Sequence, residues 1–200
     1  MALSPDRLDR FARHLVLPEI GGPGQVALTK AHVVLVGLGG IGSPVLQYLA
    51  GAGIGHFTLI DNGKVEASNL QRQTIYSPAE LDLEKTQAAA NWLAHFDREI
   101  AVEIRNVAVN SESAAKLVAG ADLVIDGTDN FATRLAVSDA CVSAGVPLLS
   151  AAVGRFQGQV GAFAGHIPGQ PCYRCFVGDA FDTDDCDSCA EDGILGAMAG

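Results

Sequence analysis

Basic residues are scarce in this 200-residue sequence, which has 13 Lys and Arg against 23 Asp and Glu and a formal net charge of −10. A surface that follows nucleic-acid phosphates needs clustered Lys and Arg, so the composition argues against nucleic acid as a partner. The sequence also lacks the uncharged apolar stretch of about 18 residues that a membrane-spanning helix needs. Because residues 1–7 lack the basic-then-apolar order of a signal peptide, we expect a cytoplasmic protein without membrane contact.

Other absences limit the architecture. The chain has no internal repeat and no low-complexity linker, and its five histidines lack the spacing of metal ligands. Apolar residues make up 48% of the chain and charged residues 18%, which suits one compact domain with a sizeable core. We therefore expect residues 1–200 to form a single domain.

The most informative segment that is present is a glycine-rich turn at residues 37–42, set between an apolar run at 32–36 and a helix-like stretch at 43–52. Its glycines are Gly37, Gly39, Gly40 and Gly42. Glycines let the backbone turn tightly and approach a phosphate, and the helix N-terminus offers unpaired N–H groups. The order strand, GxGxxG, helix predicts a nucleotide-binding βα unit, although such glycines can also serve only to pack helix against strand.

Strand and helix signals alternate along the chain. After a helix-like arm at 8–17, the pattern predicts strands at 32–36, 57–61, 102–107, 122–126 and 147–150, with helices at 43–52, 83–96, 111–120 and 131–144. Alternation with near-continuous apolar strands predicts an α/β fold with a doubly wound, mostly parallel, Rossmann-like sheet. Residues 157–163 alternate like a strand with no helix before them, so we expect antiparallel strands at the C-terminal edge.

Polar residues follow three of the predicted strands, at the edge where open α/β sheets bind ligands. The glycine turn follows the first strand, Asp61 ends the second where an acidic residue would meet a ribose hydroxyl, and residues 126–130 follow the fourth. We expect these groups to converge on one rim. The default occupant of such a turn is NAD or FAD, and the alternative is ATP used to make an acyl-adenylate.

Five motifs in order resemble the ThiF/MoeB/HesA family, whose members are adenylyltransferases similar to ubiquitin-activating enzymes. They lie at residues 36–42, 68–73, 85, 128–130 and 171–175, and the resemblance runs from about residue 10 to the end, closest to MoeB-type activators. It implies that ATP reacts with the C-terminal Gly-Gly carboxylate of a ubiquitin-like sulfur-carrier protein, giving carrier-AMP and pyrophosphate, in molybdopterin or thiamine biosynthesis. Because the carboxylate attacks the α-phosphate directly, such chemistry depends on positioning and cations.

The resemblance assigns catalytic roles to four residues. Arg72 and Lys85 match the family's phosphate-contacting Arg and Lys, and Asp129 matches its aspartate near Mg²⁺ and the α-phosphate. Arg13 matches an arginine that reaches into the partner subunit's site, which implies a homodimer, although Arg10 could serve instead. The alternative, non-catalytic interpretations are that Arg72 and Lys85 are ordinary solvated side chains and that Asp129 only caps a helix.

The resemblance also implies a nucleotide-binding set around the glycine turn. Asp61 would bind the ribose of ATP, and Asn69 and Gln73 would help to hold its phosphates. Asn130 belongs to the same site, beside Asp129. Outside this set, Ser150 and Cys141 are expected to pack in the core.

Four of the five cysteines form two CxxC pairs near the C-terminus, Cys172 with Cys175 and Cys186 with Cys189. In a reducing cytosol such pairs are more often metal ligands or redox thiols than disulfides. In the family a pair far downstream completes the first, so the resemblance implies that Cys172 and Cys175 bind Zn²⁺ and that the C-terminal part of the family domain is lacking. Cys186 and Cys189 could instead complete the site, or Cys189 could match a loop cysteine that links covalently to the carrier.

Two other functions stay open. An NAD-dependent oxidoreductase would use the glycines and Asp61, but it gives no role to Arg72, Lys85 or the CxxC pairs, and no convincing catalytic Tyr-Lys or His pair is present. A noncatalytic Rossmann module that recognises a carrier protein or senses a nucleotide would not need Asp129, Arg72 and Lys85. Since the sequence contains no rhodanese-like domain, we expect adenylation without sulfur transfer.

Overall fold

A computed structural model describes residues 3–178 and 193–200. Its α-helices are α1 (Pro5–Arg10), α2 (Ala12–Leu15), α3 (Gly21–Lys30), α4 (Gly42–Ala52), α5 (Lys85–Phe96), α6 (Ala114–Val118), α7 (Phe131–Ala144) and α8 (Tyr173–Val177). Its strands are β1 (His32–Val36), β2 (His56–Ile60), β3 (Ala101–Arg105), β4 (Leu123–Asp126), β5 (Leu148–Gly154) and β6 (Gln157–Phe163). Short 3-10 turns lie at Ala67–Asn69, Pro78–Glu80 and Gly196–Met198. Among the described residues, no helix is both long and apolar enough to cross a bilayer.

The six strands form one sheet in the order β3-β2-β1-β4-β5-β6. The first five run parallel, and β6 pairs with β5 in the antiparallel direction. The chain moves outward from β1 to β3 and then crosses to β4 on the other side of β1, so the strand order reverses between β1 and β4. This confirms the predicted α/β fold with a mostly parallel sheet and an antiparallel edge, and it places a ligand crevice at the carboxyl ends of β1 and β4.

Two apolar cores cover the two faces of the sheet. Val33 and Leu35 of β1 pack with α4 and α5 on one face, whereas Val34 and Val36 pack with α6 and α7 on the other. Since successive side chains of a strand point to opposite faces, a strand covered on both faces must be apolar throughout. Cys141 of α7 lies in the second core, as expected, where burial raises the pKa of its thiol to about 12.

Helix α3 was not predicted. It begins with Gly-Gly-Pro-Gly, a composition that disfavours helix. Its formation depends on packing: Gln25 is fully buried and donates to the Ala52 carbonyl at 2.9 Å, and a Cβ at Gly55 would lie 1.8 Å from the Thr29 oxygen. The predicted arm at 8–17 is also divided, because the chain turns at buried Phe11 between α1 and α2.

An ion-pair cluster fastens α1 to the end of α5. Arg7 is buried and donates to Asp97 at 3.1 Å and to Glu99 at 2.8 Å. Arg10 donates to Asp97 at 3.0 Å, and its guanidinium lies 4.6 Å from the centre of the Phe96 ring. These partners lie at the C-terminal end of α5, so a helix length of about 18 Å separates them from the start of α5 at the sheet's carboxyl edge.

Candidate active site

A cleft with a volume of about 380 Å³ opens at the carboxyl ends of β1, β2 and β4. This volume lies within the range of small-molecule sites. Its lining includes nearly all of the residues that the sequence placed at a nucleotide site: Gly37, Gly39, Gly40, Asp61, Asn69, Arg72, Gln73, Lys85, Asp129 and Asn130. The predicted convergence of polar groups on one rim is thus present in the structure. Of the residues predicted for catalysis or nucleotide binding, Gly42 and Arg13 do not line the cleft.

The glycine turn owes its shape to two glycines with different tasks. Gly37 has φ +86°, in the left-handed region, and a Cβ there would lie 3.1 Å from the Gly127 carbonyl. A Cβ at Gly42 would lie 2.1 Å from the Gly37 oxygen, so Gly42 is needed to close the turn although it does not reach the cleft. Gly39 and Gly40 line the cleft, and the position of a Cβ at Gly40 is bordered by the side chains of Arg72 and Ala199.

Asp61 holds the glycine turn in place. Its Oδ2 accepts a hydrogen bond from the Leu38 N–H at 2.8 Å, and its Oδ1 accepts one from the Gly63 N–H at 2.7 Å. Each carboxylate oxygen can accept more than one hydrogen bond, so these contacts leave capacity for a ribose hydroxyl. The residue therefore has a structural task that the sequence alone did not indicate.

Arg72 and Lys85 place positive charge on the cleft wall. The Arg72 Nη1 donates to the Ser68 carbonyl at 3.2 Å, and its aliphatic stem lies beside Gly40, with Cδ 3.3 Å from the position of a Cβ there. Lys85 is the first residue of α5, and its Nζ lies 3.5 Å from the position of a Cβ at Gly63. Neither side chain forms an ion pair with any residue that the structure describes. Two cations that form no ion pair with the described residues favour an anionic ligand.

Asn69 and Gln73 carry unpaired oxygens. Their side chains are 8% and 2% exposed, and within residues 3–178 and 193–200 neither Asn69 Oδ1 nor Gln73 Oε1 has a hydrogen-bond partner. Buried polar atoms are rarely left unpaired because the loss of hydration costs free energy. Both residues line the cleft, so the two oxygens lie in its wall.

The loop after β4 presents Asp129 to the cleft. Asp129 is exposed, and Asn130 caps α7 by accepting from the Thr133 N–H at 2.9 Å. The alternative that Asp129 is the helix cap is therefore wrong, because the neighbouring amide performs that task. The Asp129 carboxylate is left available for a cation, the type of ligand that oxygen donors hold.

Sequence reasoning missed the buried support beneath this loop. Asp126 is fully buried, and it accepts from the Thr128 N–H at 3.0 Å, the Thr128 hydroxyl at 2.7 Å and the Ser150 hydroxyl at 3.1 Å. Burial is the largest effect on its carboxyl and raises the pKa of Asp126, partly offset by these bonds and by Arg134. Arg134 in turn donates through Nε and Nη2 to the Thr128 carbonyl. The available signal was an acidic residue at the end of an apolar strand, two residues before a threonine.

Ile194, in the described segment 193–200, forms part of the cleft wall. Arg155, at the β5–β6 turn with φ +46°, exchanges backbone hydrogen bonds of 3.1 Å with Gly193 and Leu195, which brings Ile194 into the lining. Farther on, the Ala199 side chain lies 3.2 Å from the position of a Cβ at Gly40. The end of the described chain therefore packs against the glycine turn.

Arg13 lies far from the cleft of its own chain. It is exposed in α2, next to Phe11, whose ring packs against Gly53 just beyond the C-terminal end of α4. The cleft lies at the N-terminal end of the same helix, about 16 Å away along its axis. The structure therefore does not bring Arg13 to the site that its own chain forms.

The predicted zinc ligands are close to each other and outside the cleft lining. The Cys172 and Cys175 sulfurs lie 3.4 Å apart at the start of α8, and hydrogen bonds from Cys172 lower the pKa of Cys175. Cys186 and Cys189 lie outside the described residues. Within the part of the chain that is described, no group of three or more His, Cys, Asp or Glu side chains is placed to hold a metal ion.

A glycine turn between β1 and α4 and an acidic residue after β2, at the point where the strand order reverses, are typical of α/β proteins that bind nucleotides. The sequence profile of the ThiF family matches residues 11–200, and the chain belongs to the ThiF family. It is 36% identical over 200 residues to the SAMP-activating enzyme E1 of Haloferax volcanii, covering 100% of this chain and 73% of that protein. It is 40% identical over 203 residues to the sulfur carrier protein adenylyltransferase of Thermus thermophilus, covering 99% of this chain and 74% of that protein.

A mammalian relative is much longer than this chain. The chain is 42% identical over 199 residues to the Mus musculus adenylyltransferase and sulfurtransferase MOCS3, covering 100% of this chain and 43% of that protein. Among solved structures, E. coli MccB with ATP superimposes with a TM-score of 0.76 and 29% identity, covering 84% of this chain and 52% of that one. E. coli tRNA N6-threonylcarbamoyladenosine dehydratase TcdA with ATP gives a TM-score of 0.73 and 28% identity, covering 78% of this chain and 64% of that one.

Proposed function

We propose that this protein adenylates the C-terminal Gly-Gly carboxylate of a ubiquitin-like sulfur-carrier protein with ATP and releases pyrophosphate. The observation that carries the proposal is the position of Arg72 and Lys85, two cations without a described ion-pair partner on the wall of a cleft floored by the glycine turn. Relatives named as a sulfur carrier protein adenylyltransferase and as a SAMP-activating E1 match this chain over nearly its whole length, which supports the same reaction here.

The chemistry asks the protein to position two anions against each other. The carrier carboxylate attacks the α-phosphate, so the site must offset the charge of both groups before a new bond forms. Arg72 and Lys85 would offset charge on the triphosphate, and Asp61 would orient the ribose. Asp129 would hold Mg²⁺, which supplies further charge neutralisation on the phosphates when bound.

An NAD-dependent oxidoreductase and a noncatalytic binding module are less favoured. Hydride transfer does not need a pair of cations such as Arg72 and Lys85 on the cleft wall. A noncatalytic binding module does not need a free carboxylate such as Asp129 beside those cations. Two similar structures also contain ATP, in MccB and in TcdA. The relatives' names support sulfur-carrier activation in general, and we propose that the carrier serves molybdopterin or thiamine biosynthesis.

Pyrophosphate exchange into ATP in the presence of a Gly-Gly carrier tests the proposal. We expect Lys85→Ala and Arg72→Ala each to lower the exchange rate about a hundredfold, the effect of losing about 3 kcal/mol of transition-state stabilisation. Lys116→Ala and Arg98→Ala, at exposed positions outside the cleft lining, are the matched controls. Near-normal exchange in Lys85→Ala or Arg72→Ala would remove that residue from the mechanism.

We further propose that the protein is a homodimer in which Arg13 completes the partner subunit's site. Its place about one helix length from its own cleft supports a role in trans, and Arg10 is a poor substitute because Asp97 and Phe96 hold it. Mixing Arg13→Ala with Asp129→Ala subunits should then restore part of the activity, because some hybrid dimers contain one intact site. If subunits exchange and activity does not return, the site is not shared.

Zinc binding by Cys172 and Cys175 is also a proposal. A tetrahedral site with Zn–S bonds of about 2.3 Å holds its sulfurs about 3.8 Å apart, so the present 3.4 Å requires only a small adjustment. Two thiolates would occupy two of the four coordination positions of a tetrahedral Zn²⁺ and would leave two for other ligands. The described cysteines are all free thiols, which agrees with the reducing cytoplasm that we infer for this protein.

Metal analysis decides between the possible zinc ligands. We expect Cys172→Ser and Cys175→Ser each to abolish stoichiometric zinc in the purified protein. Zinc that survives both changes would contradict this assignment, and tight zinc lost on Cys186→Ser would show that the second CxxC pair completes the site.

A further inference from the structure

The buried tyrosine behind the cleft joins two parts of the candidate site. Tyr76 is 7% exposed, and its hydroxyl donates to the Leu38 carbonyl at 3.0 Å. The same hydroxyl oxygen lies 3.4 Å from the carbonyl oxygen of Lys85, and Lys85 is the first residue of α5. One phenol therefore contacts both the glycine turn and the base of the helix that carries the proposed catalytic lysine.

The Leu38 contact matters because the turn is intrinsically loose. Leu38 stands between Gly37 and Gly39, and glycine has the greatest backbone freedom of any residue. Its N–H is bound by Asp61 and its carbonyl by Tyr76, so two side chains from different segments fix both sides of this residue. The Leu38 side chain itself is fully buried in the core. The conformation that presents Gly39 and Gly40 to the cleft is held from behind by these two bonds.

Burial also favours the form of Tyr76 that donates this hydrogen bond. Burial, with the nearby Asp61 and Glu80 charges, raises the pKa of Tyr76 far above its usual value. The shift favours the protonated phenol, which is the form that donates a hydrogen bond. Both of its neighbours are carbonyl oxygens, which can only accept.

The geometry points to Tyr76 as a positioning residue that holds the glycine turn, and secondarily Lys85, in the arrangement that binds the phosphates of ATP. The inference rests on the proposed function for its choice of ligand. Because the shorter contact is to the turn, which touches ATP in the ground state and in the transition state alike, loss of the hydroxyl should weaken ATP binding more than it slows chemistry.

The test replaces the hydroxyl alone. Tyr76→Phe should raise the KM for ATP in pyrophosphate exchange about fivefold to tenfold, the effect of one neutral hydrogen bond with a carbonyl left buried. We expect kcat to change less than threefold, and the dissociation constant for ATP in calorimetry to rise in parallel with KM. Replacement of Tyr76 by para-aminophenylalanine, which restores an N–H donor, should return the KM towards the wild-type value.

The chain supplies matched controls. Tyr173 is 3% exposed, and its hydroxyl has no hydrogen-bond partner among the described residues, so Tyr173→Phe removes a buried hydroxyl without losing such a bond. Tyr48 is 79% exposed on α4, and Tyr48→Phe removes a solvated one. Both variants should keep the wild-type KM for ATP.

Distinct outcomes would overturn the inference or the proposed function. If Tyr76 were important only for folding, Tyr76→Phe would reduce the folded fraction of the protein. Apparent kcat would then fall while the KM for ATP stayed unchanged, and that result would refute a positioning role. Equal ATP affinity in wild type and Tyr76→Phe would refute it too. If wild-type protein binds ATP but exchanges no pyrophosphate with any Gly-Gly carrier, the proposed reaction fails while calorimetry still tests Tyr76.

Discussion

The buried carboxylate of Asp126 allows a prediction about stability. Asp126→Ala removes the acceptor of three hydrogen bonds and leaves the Thr128 N–H and two hydroxyls without it. A buried donor left unpaired costs about 1 to 3 kcal/mol, whereas a hydroxyl can rotate to recover part of its bonding. The total for one N–H and two partly rescued hydroxyls is about 3 kcal/mol, which we expect as the loss in free energy of unfolding.

Asp126→Asn separates hydrogen bonding from charge. The Asn oxygen can accept both Thr128 bonds, and its amide can donate to the Ser150 hydroxyl, which turns to accept. We therefore expect this variant to lie within about 1 kcal/mol of the wild type at pH 7.5. Urea unfolding, with the midpoint and slope fitted separately, measures both variants. An Asn variant as damaged as the Ala variant would refute the hydrogen-bond argument.

The pH dependence follows from the raised pKa of Asp126. An unfolded Asp ionises near pH 4, and the folded carboxyl ionises at a higher pH. The unfolded state thus releases its proton first, so this residue's contribution to stability is full below about pH 4 and is lost as the pH rises through the folded pKa. Asn does not titrate, so Asp126→Asn should gain stability relative to the wild type over that window. A constant difference from pH 4 to 8 would contradict this reasoning.

Three further changes test other parts of the molecule. Burial and the neighbouring His32 lower the pKa of His56. The contribution of His56 to the free energy of unfolding is therefore present above about pH 6.5 and is lost as the pH falls. His56→Gln should flatten the fall in unfolding free energy below that pH. Asp97→Ala removes the carboxylate that Arg7 and Arg10 share, while Arg7 keeps its pair with Glu99, so the change should cost about 2 kcal/mol in urea unfolding, with intact stability as the contrary result. Gly42→Ala forces the turn apart and should weaken ATP binding about tenfold by calorimetry, and unchanged affinity would show that the turn adapts.

The sheet could be predicted from sequence because its physical cause is local. A strand buried on both faces must be apolar throughout, and His32–Val36 was predicted with the bounds that the structure shows. Helix α3 could not be predicted, since its stability comes from Gln25 packing beneath α4 and not from its own glycine-rich start. The boundary of β5 was predicted four residues early at its C-terminal end for a related reason, because pairing with β6 extends it.

The candidate site divides in the same way. Residues that follow strands, such as Asp61 and Asp129, could be placed on one rim because parallel strands end at one edge of the sheet. Asp126 and Tyr76 were not identified, because their importance lies in which distant backbone groups they meet. No periodicity indicates that a phenol at position 76 will meet the carbonyl of residue 38.

The contact of Ala199 with the glycine turn has a consequence for synthesis. The turn leaves the ribosome early, together with β1, whereas residues 193–200 follow after all six strands. At about 5 to 20 residues per second, residues 193–200 follow the turn by about 8 to 30 seconds. The cleft that the structure describes is therefore completed only after residues 193–200 have been made, long after the glycine turn.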